Sequence, residues 1–250
     1  MDQTSPTLSP PAEQAQGAVP DDVQLKISPT LLDAFDWYNN APPSWKQKAY
    51  DDLVGKLERK PFFVTPAIQR GRDFEDAVQH VCETIQRSKK PGEIPIPGSK
   101  HFVSTVEKCL GGIWQTWKYG YLEVDGYGLV SGVGKLDVLF DPGTSKHISG
   151  KIIDLKTTGS FKRDKYVKGW QHKFYCLWTG ITSFDYLVAE WADKDDPDSK
   201  EIKALHEIEL TVDLEHATTM CQFKILEFYT FLQRQNLWET YIYTYCKNKR

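Results

Sequence analysis

Residues 151–160 read KIIDLKTTGS. Ile152, Ile153 and Leu155 belong to a buried strand, yet Asp154 and Lys156 stand among them. Successive side chains of a strand point to opposite faces, so Asp154 and Lys156 share one face while Ile153 and Leu155 share the other. One face packs, and the other presents a carboxylate and an amine two residues apart. The preceding apolar stretch, GKLDVLF, repeats the oddity, with Asp137 between Leu136 and Val138. The segment DPGTSKHISG between them reads as a turn, so the two strands are expected to be consecutive and antiparallel. Pairing them can bring Asp137 beside Asp154.

Outward from this pair, QTWKYGYLEV and GYGLVSGVGKLDVLF are aromatic and β-branched and are expected to form strands. The glycines of GYGLVSGVGKL fail the phosphate-loop pattern, because Leu136 follows Lys135 where Ser or Thr is required; they fit tight strand packing or a bulge. Ser28-Pro29 and Thr65-Pro66 pair a capping hydroxyl with a proline at the first helical position, so helices are expected to begin there. In the second of these, Phe74, Val78, Val81 and Ile85 recur at helical spacing, and Glu75 borders that apolar stripe. PSWKQKAYDDLVGKLE and HFVSTVEKCL read as helices and KPGEIPIPGS as a loop. FKRDKYVKGWQHKFYCLWTG is expected to be one helix, with Trp170, Phe174 and Leu177 facing the core. SFDYLVAEW and IKALHEIELTV read as strands, ADKDDPDSKE as a solvated tip between them, and DLEHATTMCQFKILEFYTFLQRQ as a long amphipathic helix. The order predicts an α/β (α+β) fold, a central mixed β-sheet flanked by helices. Residues 1–22 are rich in Pro, Gln and Asp and are expected to be a disordered tail, leaving 23–250 as a single domain.

The chain has 250 residues, is 40% hydrophobic and 13% aromatic, and contains eight tryptophans, which supports a sizeable core. Its formal net charge is −3, so any nucleic-acid surface must be local. One segment meets that condition: between Lys146 and Tyr175 stand eight basic residues against two acids, Asp154 and Asp164. Lys151, Thr157, Lys162, Arg163, Lys165 and Lys168 are the candidate DNA-backbone contacts there. Trp114, Trp117, Trp170 and Trp178 are candidates to stack on unpaired bases. Cys82, Cys109, Cys176, Cys221 and Cys246 show no CxxC spacing, which argues against a zinc or iron–sulfur site and for reduced thiols. The polar, proline-rich start and the lack of an apolar run of ~20 residues lead us to expect a soluble, cytoplasmic protein without membrane contact.

Two adjacent carboxylates repel each other and are costly to desolvate. A divalent cation relieves both problems, and Mg²⁺ binds through one or two carboxylates, water and substrate phosphate. Lys156 then stands where it can orient or help deprotonate the attacking water, or offset charge on the phosphate. Glu75 is a candidate third oxygen ligand. Gln171 and Tyr175, four apart on one helix face, can support the site.

GKLD, IIDLKTT and QHKFY resemble the PD-(D/E)xK nuclease superfamily, and more narrowly the RecB-type and phage lambda-exonuclease (YqaJ)-like nucleases, over a core of about residues 65–191. The resemblance implies a restriction-endonuclease-like core in which Glu75, Asp137, Asp154 and the carbonyl of Leu155 hold Mg²⁺, with Mn²⁺ substituting. Lys156 is then the catalytic lysine, and Gln171 and Tyr175 match the helical motif that follows it. It implies an exonuclease acting on DNA ends in phage-type recombination, replication or repair, in the bacterial cytoplasm if phage-encoded. A single-strand annealing or recombination protein would be its partner, and a homo-oligomer its assembly. The chain departs from the pattern in lacking a proline before Asp137, and in carrying Glu75 where many RecB-type nucleases have histidine. The cysteine cluster of the iron–sulfur relatives is missing, so no cluster is expected. The alternatives are a structure-specific or restriction-like endonuclease, and a catalytically silent nuclease-like module that binds DNA or protein.

Overall fold

The computed structural model describes residues 19–20, 23–61, 63–88, 95–96, 98–143, 149–196 and 198–247. The tail expected over residues 1–22 and the loop at 90–99 lie largely outside the described residues. A short strand β1 (Lys26–Ile27) precedes four helices, α1 (Pro29–Asn40), α2 (Lys46–Leu57), α3 (Pro66–Arg87) and α4 (Lys100–Cys109). Three strands follow, β2 (Ile113–Val124), β3 (Gly128–Phe140) and β4 (Lys151–Thr158). Then come α5 (Arg163–Val167), α6 (Gln171–Thr179), β5 (Ser183–Trp191), β6 (Ile202–Thr211), α7 (Leu214–Arg234) and α8 (Trp238–Thr240), with a π-helical turn at Tyr241–Cys246. Both expected caps form: Ser28 and Thr65 each accept the amide three residues on, at 3.3 Å.

The strands make one mixed sheet in the order β1-β3-β4-β5-β6, with β2 on the other edge of β3. β2, β3 and β4 pair antiparallel, β4 and β5 pair parallel, and β5 and β6 pair antiparallel. The parallel step needs a crossover, and α5 and α6 supply it. Helices cover both faces: Phe74, Val78, Cys82 and Val106 of α3 and α4 pack with Ile153 and Leu155, and Tyr175 and Cys176 of α6 pack with Ile152, Phe184 and Tyr186. This is the mixed α/β architecture, a central mixed sheet flanked by helices, that the order of elements predicts.

The segment expected to be one helix from Phe161 to Gly180 is broken into α5 and α6. At the break, the Trp170 amide donates to Asp33 Oδ1 at 3.2 Å and its indole nitrogen to Asp36 Oδ2 at 2.6 Å. Two acids of α1 thus hold the turn around Gly169, and α6 starts afresh at Gln171. The expected apolar face survives the break, with Trp170 and Phe174 buried.

The glycine-rich strand is explained by α6. A Cβ on Gly120 or Gly132 would fall 2.0 or 2.3 Å from the Trp178 ring, and one on Gly134 would fall 2.3 Å from the Tyr175 ring. These residues let the helix lie directly on the backbone. We therefore expect Gly134→Val to cost about 1–3 kcal/mol by overpacking, read as a lower midpoint in chemical denaturation; a midpoint equal to wild type contradicts this packing.

His172 lies on the buried side of α6, with Nδ1 3.3 Å from the Tyr186 hydroxyl and Nε2 3.2 Å from Lys173 Nζ. Burial, then the neighbouring Lys173 ammonium, pushes its pKa down from 6.5 to about 3. Between these values the unfolded chain binds a proton that the folded chain refuses, so this residue's contribution to stability falls as pH drops from 6.5 toward 3. In His172→Gln the slope of stability against pH over this range should lessen by up to about 1.4 kcal/mol per pH unit relative to wild type. Parallel curves for the two proteins would contradict it.

Candidate active site

β3 and β4 pair over only three residues, Val138↔Ile153, Leu139↔Ile152 and Phe140↔Lys151. The strands then part. Where the next ladder bond would fall, the Leu155 amide donates instead to Asp137 Oδ2 at 2.9 Å. Regular alternation also fails on β3. Leu136 and Leu139 pack on the α6 side with Ile152, whereas Val138 and Phe140 pack on the α3 side with Ile153. The irregularity reaches β2, where Gln115, opposite Asp137, takes a left-handed φ of 54° and drops out of the pairing. Such distortions re-aim side chains, and here the re-aimed residues are Asp137 and Gln115.

Asp154 stands in the fork and is fully buried. Its Oδ1 accepts from Gln171 Nε2 at 2.7 Å. Its Oδ2 forms a charge-assisted ion pair with Lys156 Nζ. Gln171 also donates to the Tyr175 hydroxyl at 3.2 Å, and that hydroxyl donates to the Lys135 carbonyl on β3 at 3.1 Å. Tyr175 thus ties both sides of the fork to α6. From α3, half-buried Glu75 accepts a hydrogen bond from Gln115 Nε2.

The electrostatics follow from burial. Desolvation pushes the Asp154 carboxyl up to about 8; the Lys156 ammonium opposes this, while Asp137 and Glu75 add to it. Burial, then Asp137, likewise raises Glu75, and Gln115 resists the rise. Burial works against the charge of Lys156, but Asp154 and Asp137 together outweigh it and hold the ammonium charged. Three acids therefore share one lysine. Their oxygens are of the hard type that Mg²⁺ takes, and three carboxylates against one ammonium leave negative charge for a cation to offset, so the residues fit such an ion. Among the described residues, no three His, Cys, Asp or Glu side chains already converge into a cage. Lys156 lies against the oxygen a cation would use.

The structure thus brings together Asp137, Asp154, Lys156, Gln171 and Tyr175, with Glu75 facing them across Gln115. The carbonyl of Leu155 lies 3.4 Å from Lys156 Nζ. Lys162, Arg163, Lys165 and Lys168 are exposed on and beside α5, between the Lys156 strand and the Gln171 helix. Lys168 is engaged with Asp164 at 3.0 Å. Thr157 is turned toward α3, where a Cβ on Gly71 would fall 2.7 Å from its hydroxyl. Lys151 is not in this group: it pairs with Asp185 at the other end of β4, five residues or about 16 Å from Lys156. Of the aromatic candidates, Trp170 is buried at the helix break, Trp178 fills the glycine groove, and Trp117 is exposed. The sequence reading missed Gln115; a lone amide in an aromatic strand was its one signal. Among the described residues, no helix is long and apolar enough to cross a membrane.

No family model matches the sequence, and comparison with curated proteins likewise finds no match. Solved structures are similar at low identity. A protein designated SSO0001 shares 12% identity at a TM-score of 0.45, over 81% of this chain and 76% of that one. A phage-related exonuclease from Haemophilus somnus 129PT shares 11% identity at a TM-score of 0.42, over 85% of this chain and 96% of that one. The alkaline exonuclease LHK-Exo from Laribacter hongkongensis shares 14% identity at a TM-score of 0.39, over 84% of this chain and 93% of that one. The chain is similar in structure to exonucleases.

Proposed function

We propose that this chain is a Mg²⁺-dependent DNA exonuclease. The observation that supports it most is the fork itself: a fully buried Asp154, held by Gln171 and paired with Lys156, beside Asp137 from the next strand and Glu75 from α3. Ordinary surface strands carry Asp and Lys in solvent; burying like charges is costly and is retained where they bind or react. Glu75, Asp137, Asp154 and the Leu155 carbonyl would hold Mg²⁺, with Mn²⁺ as substitute. When bound, the ion supplies Lewis acidity toward the scissile phosphate and acidifies a water for attack.

The chain's own groups have separable roles. Lys156, held charged by two acids, acts as a cation beside the phosphate. Gln171 fixes the Asp154 carboxylate through Oδ1, leaving Oδ2 to a cation. Tyr175 anchors Gln171 to β3 and is a positioning residue. The exposed Lys162, Arg163, Lys165 and Lys168 hold the DNA backbone, a contact that weakens with salt.

Linear and circular duplex DNA should be offered with Mg²⁺ and with chelator. Degradation of the linear form alone, abolished by chelation, is expected; nicking of circles overturns the exonuclease reading in favour of an endonuclease, and no cutting with any divalent ion supports a silent binding module. Asp137→Ala and Asp154→Ala should reduce cleavage to background, Lys156→Ala by about 10²–10³-fold, and Gln171→Ala by about 10–100-fold. Independently of activity, Mg²⁺ should raise the melting temperature of wild type but not of Asp154→Asn. Equal shifts in both would remove Asp154 from the metal site.

A further inference from the structure

The hairpin of β2 and β3 has two unlike faces. α6 covers one face through Trp178 and Tyr175. On the other, Trp117, Tyr119 and Tyr121 follow one another along β2 at 57%, 70% and 65% exposure. Their register partners on β3 are Lys135, Val133 and Ser131. Same-face residues of a strand repeat every ~6.8 Å. Stacked bases of one nucleic-acid strand repeat every ~3.4 Å, so a ring placed between successive bases requires about twice that rise. Three rings in line therefore match the repeat of an extended, unpaired strand and leave a duplex unmatched.

The line also has a direction. Two residues before Trp117 on the same strand is Gln115, which bonds Glu75. The partner of Trp117 is exposed Lys135, whose carbonyl accepts from Tyr175 and which stands two residues from Asp137. The rings thus run along the sheet into the carboxylate fork, with a lysine where the two meet. Tyr and Trp suit this use, because every base has a π-face and stacking tolerates any sequence.

We propose that the outer face of β2 and β3 is a stacking track for a single strand of nucleic acid continuous with the carboxylate site. The inference rests on the nuclease reading for its direction, and its test is kept apart from cleavage. Binding of a fluorescein-labelled oligothymidylate fifteen nucleotides long (~15 by design, several times the three-ring track) is followed by anisotropy in chelator, where nothing is cut. Combined Trp117→Ala, Tyr119→Ala and Tyr121→Ala should weaken it at least about tenfold. The same three positions changed to Phe should bind like wild type, which separates loss of rings from loss of fold. The track is overturned if the triple alanine protein, folded by circular dichroism, binds the oligonucleotide as wild type does. It is equally overturned if sedimentation shows a wild-type oligomer that these substitutions dissociate without affecting oligonucleotide binding, since the face is then an interface between copies. Ring-dependent binding by a chain that cuts no DNA keeps the track and sinks the nuclease reading. Metal-dependent cutting by a triple alanine protein with wild-type binding does the reverse.

Discussion

The hydrogen bond from the Leu155 amide to the Asp137 carboxylate marks where β3 and β4 stop being a sheet. A buried strand amide must find an acceptor. Because a side chain supplies it here, the two backbones are free to diverge after three pairs. The opening admits Gln171 and Tyr175 from α6 on one side and Glu75 from α3 on the other. A regular ladder through Asp137 and Asp154 would close the space in which all these groups meet. The left-handed Gln115 and the broken alternation between Leu136 and Leu139 are the backbone counterpart of the same opening.

The charge arrangement is costly for stability and intelligible for chemistry. Asp154 has no solvent and one ammonium, which it shares with Asp137. A buried ion pair of this kind rarely gains stability over an apolar pair of the same shape. The surrounding structure offsets the cost: Ile153 and Leu155 pack on α3, Ile152 packs on the α6 side, and the site borrows a strand the core would need in any case. The same economy explains why the acids are spread over β3, β4 and α3, where each is held by an element with its own apolar face.

Much of this was legible in the chain because period-2 and period-3.6 patterns are local. The alternation in KIIDLKTT placed Asp154 and Lys156 on one face, and the stripe of Phe74, Val78 and Ile85 placed Glu75 at its edge. What stayed hidden depends on distant partners. The break before Gln171 is held by Asp33 and Asp36, more than a hundred residues earlier, while the local spacing from Phe161 onward continues to read as helix. Gln115 acquires its role from a backbone conformation that no residue type announces. Lys151 counts as one more basic residue in a basic segment until the fold shows Asp185 beside it.

The glycines of β3 connect these scales. Without side chains at Gly132 and Gly134, Trp178 and Tyr175 lie against the strand backbone, and α6 sits at the depth this contact sets. At that depth the Tyr175 hydroxyl reaches the Lys135 carbonyl, Gln171 reaches Tyr175, and Gln171 reaches Asp154. A helix held one side chain farther out would leave Asp154 to Lys156 alone, with both carboxylate oxygens competing for one ammonium. The orientation of the buried carboxylate is therefore set by residues that carry no chemistry. The same flat contact occupies one face of the hairpin fully, so its aromatic residues have only the outer face on which to stand.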